Sequence, residues 1–168
     1  AGDLSPAQQE AMRSNLEKMT PNTISMIGGG STAIGLPIIY AIYAGYLLVI
    51  SNLNNDGIGF KQWFSFISWS YMPALFGTLA SFVTIVVSSN GQIAPETLNP
   101  LTLNELFFGL DPTEGMGSIL AQLDITQFWV LGLMTIGYSK WTQMSPVKSF
   151  LIVGFPIIAF YGIRMLMV

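Results

Sequence analysis

Long apolar stretches separated by short polar segments dominate this sequence. A helix needs about 20 predominantly apolar residues to cross a bilayer, and four stretches approach or exceed that length, at residues 24–52, 61–88, 124–142 and 146–168. Residues 89–123 form the one long connection between them. The pattern therefore predicts an all-α fold, an integral membrane helical bundle with four transmembrane helices.

The amino-terminal residues have a different pattern, with a narrow apolar stripe on a polar background. Ser5 and Gln8 have the spacing of a capping box, so residues 4–19 predict a short amphipathic helix. Its apolar stripe can lie on the bilayer interface or dock against the bundle. We expect an amphipathic juxtamembrane segment at residues 1–22 and a single transmembrane domain at residues 23–168.

Two prolines interrupt the predicted spans. Pro37 should kink the first span, because proline supplies no amide to the carbonyl one turn earlier. Pro73 lies in the middle of the second span, among serine and threonine side chains. Their hydroxyls can bond to backbone carbonyls, including the one that Pro73 frees.

The long connection contains too many apolar residues for a free loop, so we expect it to fold over the membrane face. Residues 117–123 predict a helix that is too short to span and is therefore interfacial or re-entrant. Asp124 and Gln127 then have the spacing of a second capping box, which would open the third span. Ser145 is positioned to cap the fourth span.

The charge content supports the membrane interpretation. Only 9% of the 168 residues are charged, whereas soluble domains carry about a quarter. No charged residue lies between Lys18 and Asp56, or between Lys61 and Glu96. The basic residues are also too few and too scattered for a nucleic-acid surface. The expected surroundings are a lipid bilayer and not nucleic acid.

The residue types that most often carry catalysis and metal binding are missing. The sequence has no histidine and no cysteine, which removes the usual base at neutral pH and the thiolate ligands. Four loop carboxylates could bind a hard cation, but they lack EF-hand spacing, and solvated side chains explain them more simply. They are Glu105, Asp111, Glu114 and Asp124. We expect no cofactor, no metal and no enzymatic activity.

The distribution of lysines predicts an orientation. Basic residues in short connections mark the cytoplasmic side, and the short turns carry Lys61, Lys140 and Lys148, whereas the long connection has no lysine or arginine. We therefore expect the short turns in the cytoplasm, with the long loop and the carboxyl end on the opposite side. The amino end would also lie outside the cytoplasm without a signal peptide, which predicts a further membrane helix upstream of Ala1.

Three segments resemble motifs of the bacterial Ypt-interacting protein (Yip) family. They are residues 66–73, which contain Tyr71-Met72-Pro73; residues 99–104, which begin Asn99-Pro100; and residues 123–129, which contain Asp124 and Trp129 and are followed by Gly137. The resemblance covers nearly the whole chain. It implies five spans with a cytoplasmic amino terminus, in agreement with the helix expected upstream.

The resemblance carries over the fold and not a partner. Thr126 stands where the family usually has an aromatic or aliphatic residue, which weakens any inference about that helix face. Eukaryotic relatives are linked to vesicle traffic through prenylated Rab GTPases, but the short loops are similar to those of bacterial members. The implied location is the bacterial inner membrane.

The candidate contact residues each have a functional and a structural interpretation. Asp124 and Trp129 could contact a partner or a lipid headgroup, or serve as a helix cap and an interfacial aromatic anchor. The lysines could hold anionic lipid headgroups, or act only as topology signals. The full set of partner or lipid contact candidates is Tyr71, Pro73, Asn99, Pro100, Asp124, Trp129, Lys61, Lys140 and Lys148.

The sequence thus predicts a non-enzymatic Yip-like membrane protein that acts through protein or lipid contacts in membrane organisation or trafficking. A protein partner or a homo-oligomer within the membrane is expected. One alternative is a transporter or channel subunit that uses helices broken at Pro37 and Pro73. A water-filled cavity reaching Ser68, Ser70 and Tyr71 would favour it. The other alternative is an accessory subunit of a larger membrane complex.

Overall fold

The structure, a computed structural model, describes residues 21–88 and 98–166. Within these ranges the chain forms six α-helices and one π-helical turn. The helices are α1 (Pro21–Asn54), α2 (Phe60–Ser70), α3 (Ala74–Val87), α4 (Gly115–Leu120), α5 (Thr126–Thr142) and α6 (Pro146–Leu166), and the π-helical turn is Asn104–Phe108. The described ranges contain no strand beyond a single isolated bridge. The predicted all-α class is confirmed.

Some predictions concern residues outside the described ranges. The amphipathic helix at residues 4–19 is one of them, as are residues 89–97 of the long connection and residues 167–168. Within the described connection, a helix is predicted at residues 117–123. The structure has α4 there, which begins at Gly115 and ends at Leu120.

Helices occupy all four intervals predicted as spans. Two segments are long and apolar enough to cross a membrane, Ala33–Asn54 within α1 and the whole of α6. Together α2 and α3 provide a third if a pair bent by 41° counts as one span. With 17 residues, α5 has a length of about 26 Å at 1.5 Å per residue. That is slightly less than the roughly 30 Å of a hydrocarbon core.

The two prolines behave differently. The helix α1 continues through Pro37, so the first helix is not interrupted there, and the kink expected at Pro37 stays a prediction. Between α2 and α3 the chain leaves the α-helix at residues 71–73. Here backbone hydrogen bonds from residue i to residue i−3 replace the i to i−4 bonds of an α-helix. Met72 N donates to Trp69 O at 3.2 Å, and Phe76 N donates to Pro73 O at 3.0 Å.

The carbonyl freed by Pro73 is that of Trp69, and it is satisfied by the backbone of Met72. The prediction that a side-chain hydroxyl would fill this role is therefore wrong at this carbonyl. Hydroxyls do bond carbonyls one turn earlier elsewhere in these helices. Ser68 donates to Phe64 O at 2.8 Å, and Ser81 donates to Gly77 O at 3.0 Å.

By contacts the described residues divide into two compact units, with the boundary between Ile42 and Tyr43. In the second unit α5 is the central helix, since it packs against α2, α3 and α6. Its buried face meets α2 through Tyr138, whose ring stacks on Trp63 with centroids 5.3 Å apart. Gly137 leaves room for the ring of Phe66, because a Cβ atom there would lie 2.5 Å from Phe66 Cε2.

The last third of α1 is held against α6 by two tyrosines. The Tyr43 hydroxyl donates to the carbonyl of Val153, and the Tyr46 hydroxyl donates to the carbonyl of Ile152 at 3.0 Å. Leu47, which follows Tyr46 in the chain, and Val153 are both fully buried. These contacts fix the end of the bundle that carries the two short turns, residues 55–59 and residues 143–145, which we call the turn end.

Candidate functional site

The described part of the long connection is fastened to the start of α5 by a short antiparallel backbone pairing. Leu103 N donates to Leu123 O at 2.7 Å, and Ile125 N donates to Leu101 O at 3.0 Å, on either side of the bridge between Thr102 and Asp124. Buried backbone N–H and C=O groups outside a helix need other hydrogen-bond partners, and this pairing supplies them. The pairing places Asn99 beside Asp124.

The next part of the connection is organised by Asn104. Its side chain is 1% exposed, donates from Nδ2 to Leu110 O at 2.9 Å and accepts from Leu110 N at 3.0 Å. Gly109 has a φ of 59° at the end of the π-helical turn, a conformation that glycine adopts without steric cost. The Asn99-to-Asn104 segment is thus a braced scaffold, and its two asparagines are structural links.

Asp124 connects two parts of the structure, the described loop and the start of α5. Its Oδ2 accepts from Asn99 Nδ2 at 2.5 Å, and its Oδ1 accepts from Thr126 N at 2.7 Å. The same Asn99 side chain accepts from Leu101 N through Oδ1 at 3.0 Å. Asp124 therefore ties the start of α5 to the loop.

The predicted capping box of Asp124 and Gln127 is wrong. The first helical residue of α5 is Thr126, and its cap residue is Ile125 without a side-chain cap bond. The Gln127 side chain turns towards α6, where its Oε1 accepts from the Tyr161 hydroxyl at 3.1 Å. The backbone pairing with the loop takes the place of the box, because Ile125 N is already bonded to Leu101 O.

Gly77 on α3 allows the carboxylate of Asp124 to approach the helix backbone. A Cβ atom at position 77 would lie 2.6 Å from Asp124 Oδ2 and 3.3 Å from Asn99 Nδ2. The sequence marks Gly77 only as a small residue suited to helix packing. The partner that needs the space is 47 residues away in the chain, so its sequence neighbours carry no signal of the contact.

These residues line a cleft of about 410 Å³ between α3, the loop and the start of α5. The described polar side chains that line the cleft are neutral except for one carboxylate, that of Asp124. Its polar lining includes Tyr71, Thr78, Ser81, Asn99, Gln127 and Asp124. We call it the loop cleft. Because Gly77 precedes the end of α3 by ten residues, or about 15 Å, the loop cleft lies alongside α3 and not beyond its end.

The remaining motif residues lie outside the polar network of the loop cleft. Trp129 is 55% exposed and stacks on Phe76 with ring centroids 5.8 Å apart. Like Asp124, it contacts α3, but it is not among the described residues that line the loop cleft. Pro73 is buried in the break between α2 and α3, and Pro100 is half-buried in the turn after Asn99.

The three lysines lie towards the turn end, and the structure separates them. All are exposed. Lys148 lines a second cleft of about 510 Å³, formed by the end of α1, the turn between α5 and α6, and the first turns of α6. We call it the turn cleft. Neither Lys61 nor Lys140 belongs to its described lining.

The loop carboxylates are not gathered into a metal site in the described residues, where no group of three or more acidic side chains is placed to hold an ion. Asp111 has a local role instead. Its Oδ1 accepts from Thr113 N at 2.9 Å and from the Thr113 hydroxyl at 2.6 Å. These bonds favour the charged carboxylate and hold the pKa of Asp111 below its ordinary value.

Apolar helices of membrane-spanning length, a broken helix pair and a loop folded against the bundle define a helical membrane protein. The chain matches the Yip1 domain family over residues 3–167 and belongs to that family, which is not a known family of enzymes. No curated protein and no solved structure matches the chain.

Proposed function

We propose that this protein is a non-enzymatic membrane component that acts through lateral contacts with proteins or lipids in membrane organisation or trafficking. The observation that carries the proposal is the small fraction of each span that the chain itself covers. In the apolar windows of both Ala33–Asn54 and α6, only 17% of the residues are buried. The chain alone leaves most of each span to be covered by lipid or by other helices.

The exposed surface has the chemistry for that role. Phe82 and Val86 on α3 and Phe155 on α6 are between 60 and 66% exposed, and patches of this kind on an aqueous surface mark sites of membrane or protein contact. In a bilayer they face acyl chains or the small and apolar faces of neighbouring helices. The proposed arrangement has four spans in the single domain at residues 23–168, and the juxtamembrane segment at residues 1–22 lies outside them.

The placement in the cell is part of the same proposal. The lysine pattern favours short turns in the cytoplasm, with the long loop and the carboxyl end on the opposite side. The charge pattern supports that orientation, and the family resemblance supports the bacterial inner membrane. Of the contact candidates, Tyr71, Asn99 and Asp124 line the loop cleft and Lys148 lines the turn cleft, whereas Lys61 and Lys140 belong to neither described lining.

The experiment that tests the lateral contacts is site-specific photo-crosslinking in native membranes followed by mass spectrometry. A photoreactive residue at Phe155, 60% exposed, should capture another protein or lipid. The matched control is Val153, which lies two residues earlier on α6 and is fully buried, and it should yield only intramolecular products. If position 155 captured nothing but the chain itself, the proposal of lateral partners would be wrong.

The loop cleft favours a second candidate function, a transporter or channel subunit for a polar neutral or cationic substrate. It reaches Tyr71 and brings one carboxylate, Asp124, alongside the middle of the broken α2–α3 pair. Broken helices next to polar side chains are a common design for substrate sites in transporters. A cavity that reaches Ser70 would favour this function, but Ser70 is not part of the described lining of the loop cleft. It lines a separate, mostly apolar groove with Trp69 and Trp141.

Proteoliposomes distinguish the two candidates. A transporter would carry polar solutes or cations across the membrane, and Asp124→Asn should reduce that flux by at least tenfold while the protein still inserts. A lateral-contact protein would show no flux above empty liposomes. Flux that depends on Asp124 would replace the first candidate with the second.

A further inference from the structure

The turn cleft has a polar end and an apolar end, arranged along the axis of α6. Ser145 and Lys148 lie at the start of the helix, and Leu151 and Ile152 follow three and four residues after Lys148. Residues at these spacings share one helix face, and each step of three or four residues moves about 4.5–6 Å along the axis. The cleft therefore changes from a cationic, hydroxyl-bearing mouth to an apolar wall within one helical turn.

The mouth of the cleft carries one sign of charge. Lys148 is the one charged residue of its described lining, and the described lining contains no carboxylate. Lys61 and Lys140 carry further positive charge towards the same end. The loop cleft is the opposite case, since its lining includes Asp124 and no lysine or arginine among the described residues.

The walls of the turn cleft are held in place by hydrogen bonds. Ser139 Oγ donates to Met144 O at 2.7 Å, and Gln143 Nε2 donates to Lys140 O at 2.7 Å, which brace the turn between α5 and α6. The bond from the Tyr46 hydroxyl to Ile152 O, 3.0 Å long, fixes the α1 wall against the α6 wall. A cleft braced on both sides is preformed, which lowers the entropic cost of binding.

We propose that the turn cleft is a binding site for one anionic phospholipid. The headgroup phosphate lies between the Lys148 ammonium and the Ser145 hydroxyl, and an acyl chain runs along Leu151 and Ile152. A lysine near an anionic membrane surface attracts such headgroups, and its long stem lets the ammonium reach the headgroup level. The inference rests on the proposed membrane function, because the cleft meets lipid only if α6 spans the bilayer.

The test uses the full chain reconstituted in phosphatidylcholine vesicles that contain a photoactivatable phosphatidylglycerol. A phosphatidylcholine probe with the same acyl chains is the comparison, and labelled peptides are located by mass spectrometry. The anionic probe should label residues 143–152 at least about fivefold more strongly than the zwitterionic probe. Equal labelling by both probes would overturn the lipid site.

Three variants and one competitor sharpen the test. Lys148→Gln should lower labelling of this peptide by about fivefold, the effect expected of one basic residue at an anionic surface, and Lys148→Arg should retain it. Lys61→Gln removes the same charge from an exposed position outside the described lining and should leave labelling unchanged. An equal loss in both glutamine variants would mean general surface attraction and would contradict the site. Displacement by inorganic phosphate at matched ionic strength would indicate a free-anion site and overturn the lipid assignment.

The same preparation separates failure of this site from failure of the proposed function. Vesicles are floated through a density gradient at high salt before illumination. A chain that does not float with them would contradict both proposals. A chain that floats but is not labelled at residues 143–152 would contradict the lipid site alone.

Discussion

Two buried tyrosines, Tyr43 and Tyr138, use their hydroxyl groups differently. Tyr43 donates to the carbonyl of Val153 and so links α1 to α6. Tyr138 is fully buried, but its hydroxyl has no hydrogen-bond partner among the described residues, and its ring contributes by stacking on Trp63. The sequence shows two similar aromatic residues in apolar stretches, and the difference between them arises from contacts with distant residues.

This difference predicts unequal costs for the same substitution. Tyr43→Phe should lower the free energy of unfolding by about 0.5–1.5 kcal/mol, because it removes a hydrogen bond between helices. Tyr138→Phe should leave it unchanged or raise it, because the substitution removes a buried hydroxyl that has no bond to lose. Unfolding of the two variants in the same detergent is the measurement, and equal destabilisation would contradict the assigned contacts.

Gly77 provides a second prediction at the residue scale. Gly77→Ala should destabilise the protein by about 1–3 kcal/mol, because the added Cβ would lie 2.6 Å from Asp124 Oδ2. Gly132→Ala is the matched control on α5, where no described side chain lies within 4 Å of an added Cβ, and helix propensity should make it neutral or stabilising. Thermal unfolding in detergent compares them, and a neutral Gly77→Ala would show that Asp124 does not pack against α3.

At the scale of the elements, the lengths of the apolar stretches predicted the four helical intervals that the described residues contain. Local chemistry did not predict where the individual helices begin and end. Pro73 breaks a helix where Pro37 does not, although both lack an amide. Asp124 has the sequence of a cap, but its carboxylate instead links the loop to α5, because Leu101 pairs with Ile125. Contacts of this kind join residues more than 20 positions apart, so no local motif predicts them.

The proposed four spans predict which turns share a side of the membrane. The chain has no cysteine, so single cysteines can be introduced as reporters in sealed vesicles of known orientation. Asn55→Cys and Gln143→Cys should react with a membrane-impermeant maleimide from the same side, and Glu114→Cys should react from the other. Reaction of positions 55 and 143 from opposite sides would exclude the proposed arrangement of spans.

At the scale of the whole molecule, membership of the Yip1 domain family and the apolar helices place the protein in a membrane. The two clefts differ in chemistry, because the loop cleft contains a carboxylate and the turn cleft contains a lysine. The family resemblance was visible in three short motifs. The turn cleft was not visible in the sequence, because it is built from the end of α1 and the start of α6, about 90 residues apart along the chain.

The most direct measurement is alkaline carbonate extraction of membranes from cells that make the intact gene product. Peripheral proteins are released by this treatment, whereas long apolar helices stay in the bilayer because their transfer to water exposes large apolar surfaces. We predict that the protein stays in the membrane pellet and enters solution only with detergent. Release into the aqueous fraction as a folded, monodisperse species would contradict the account.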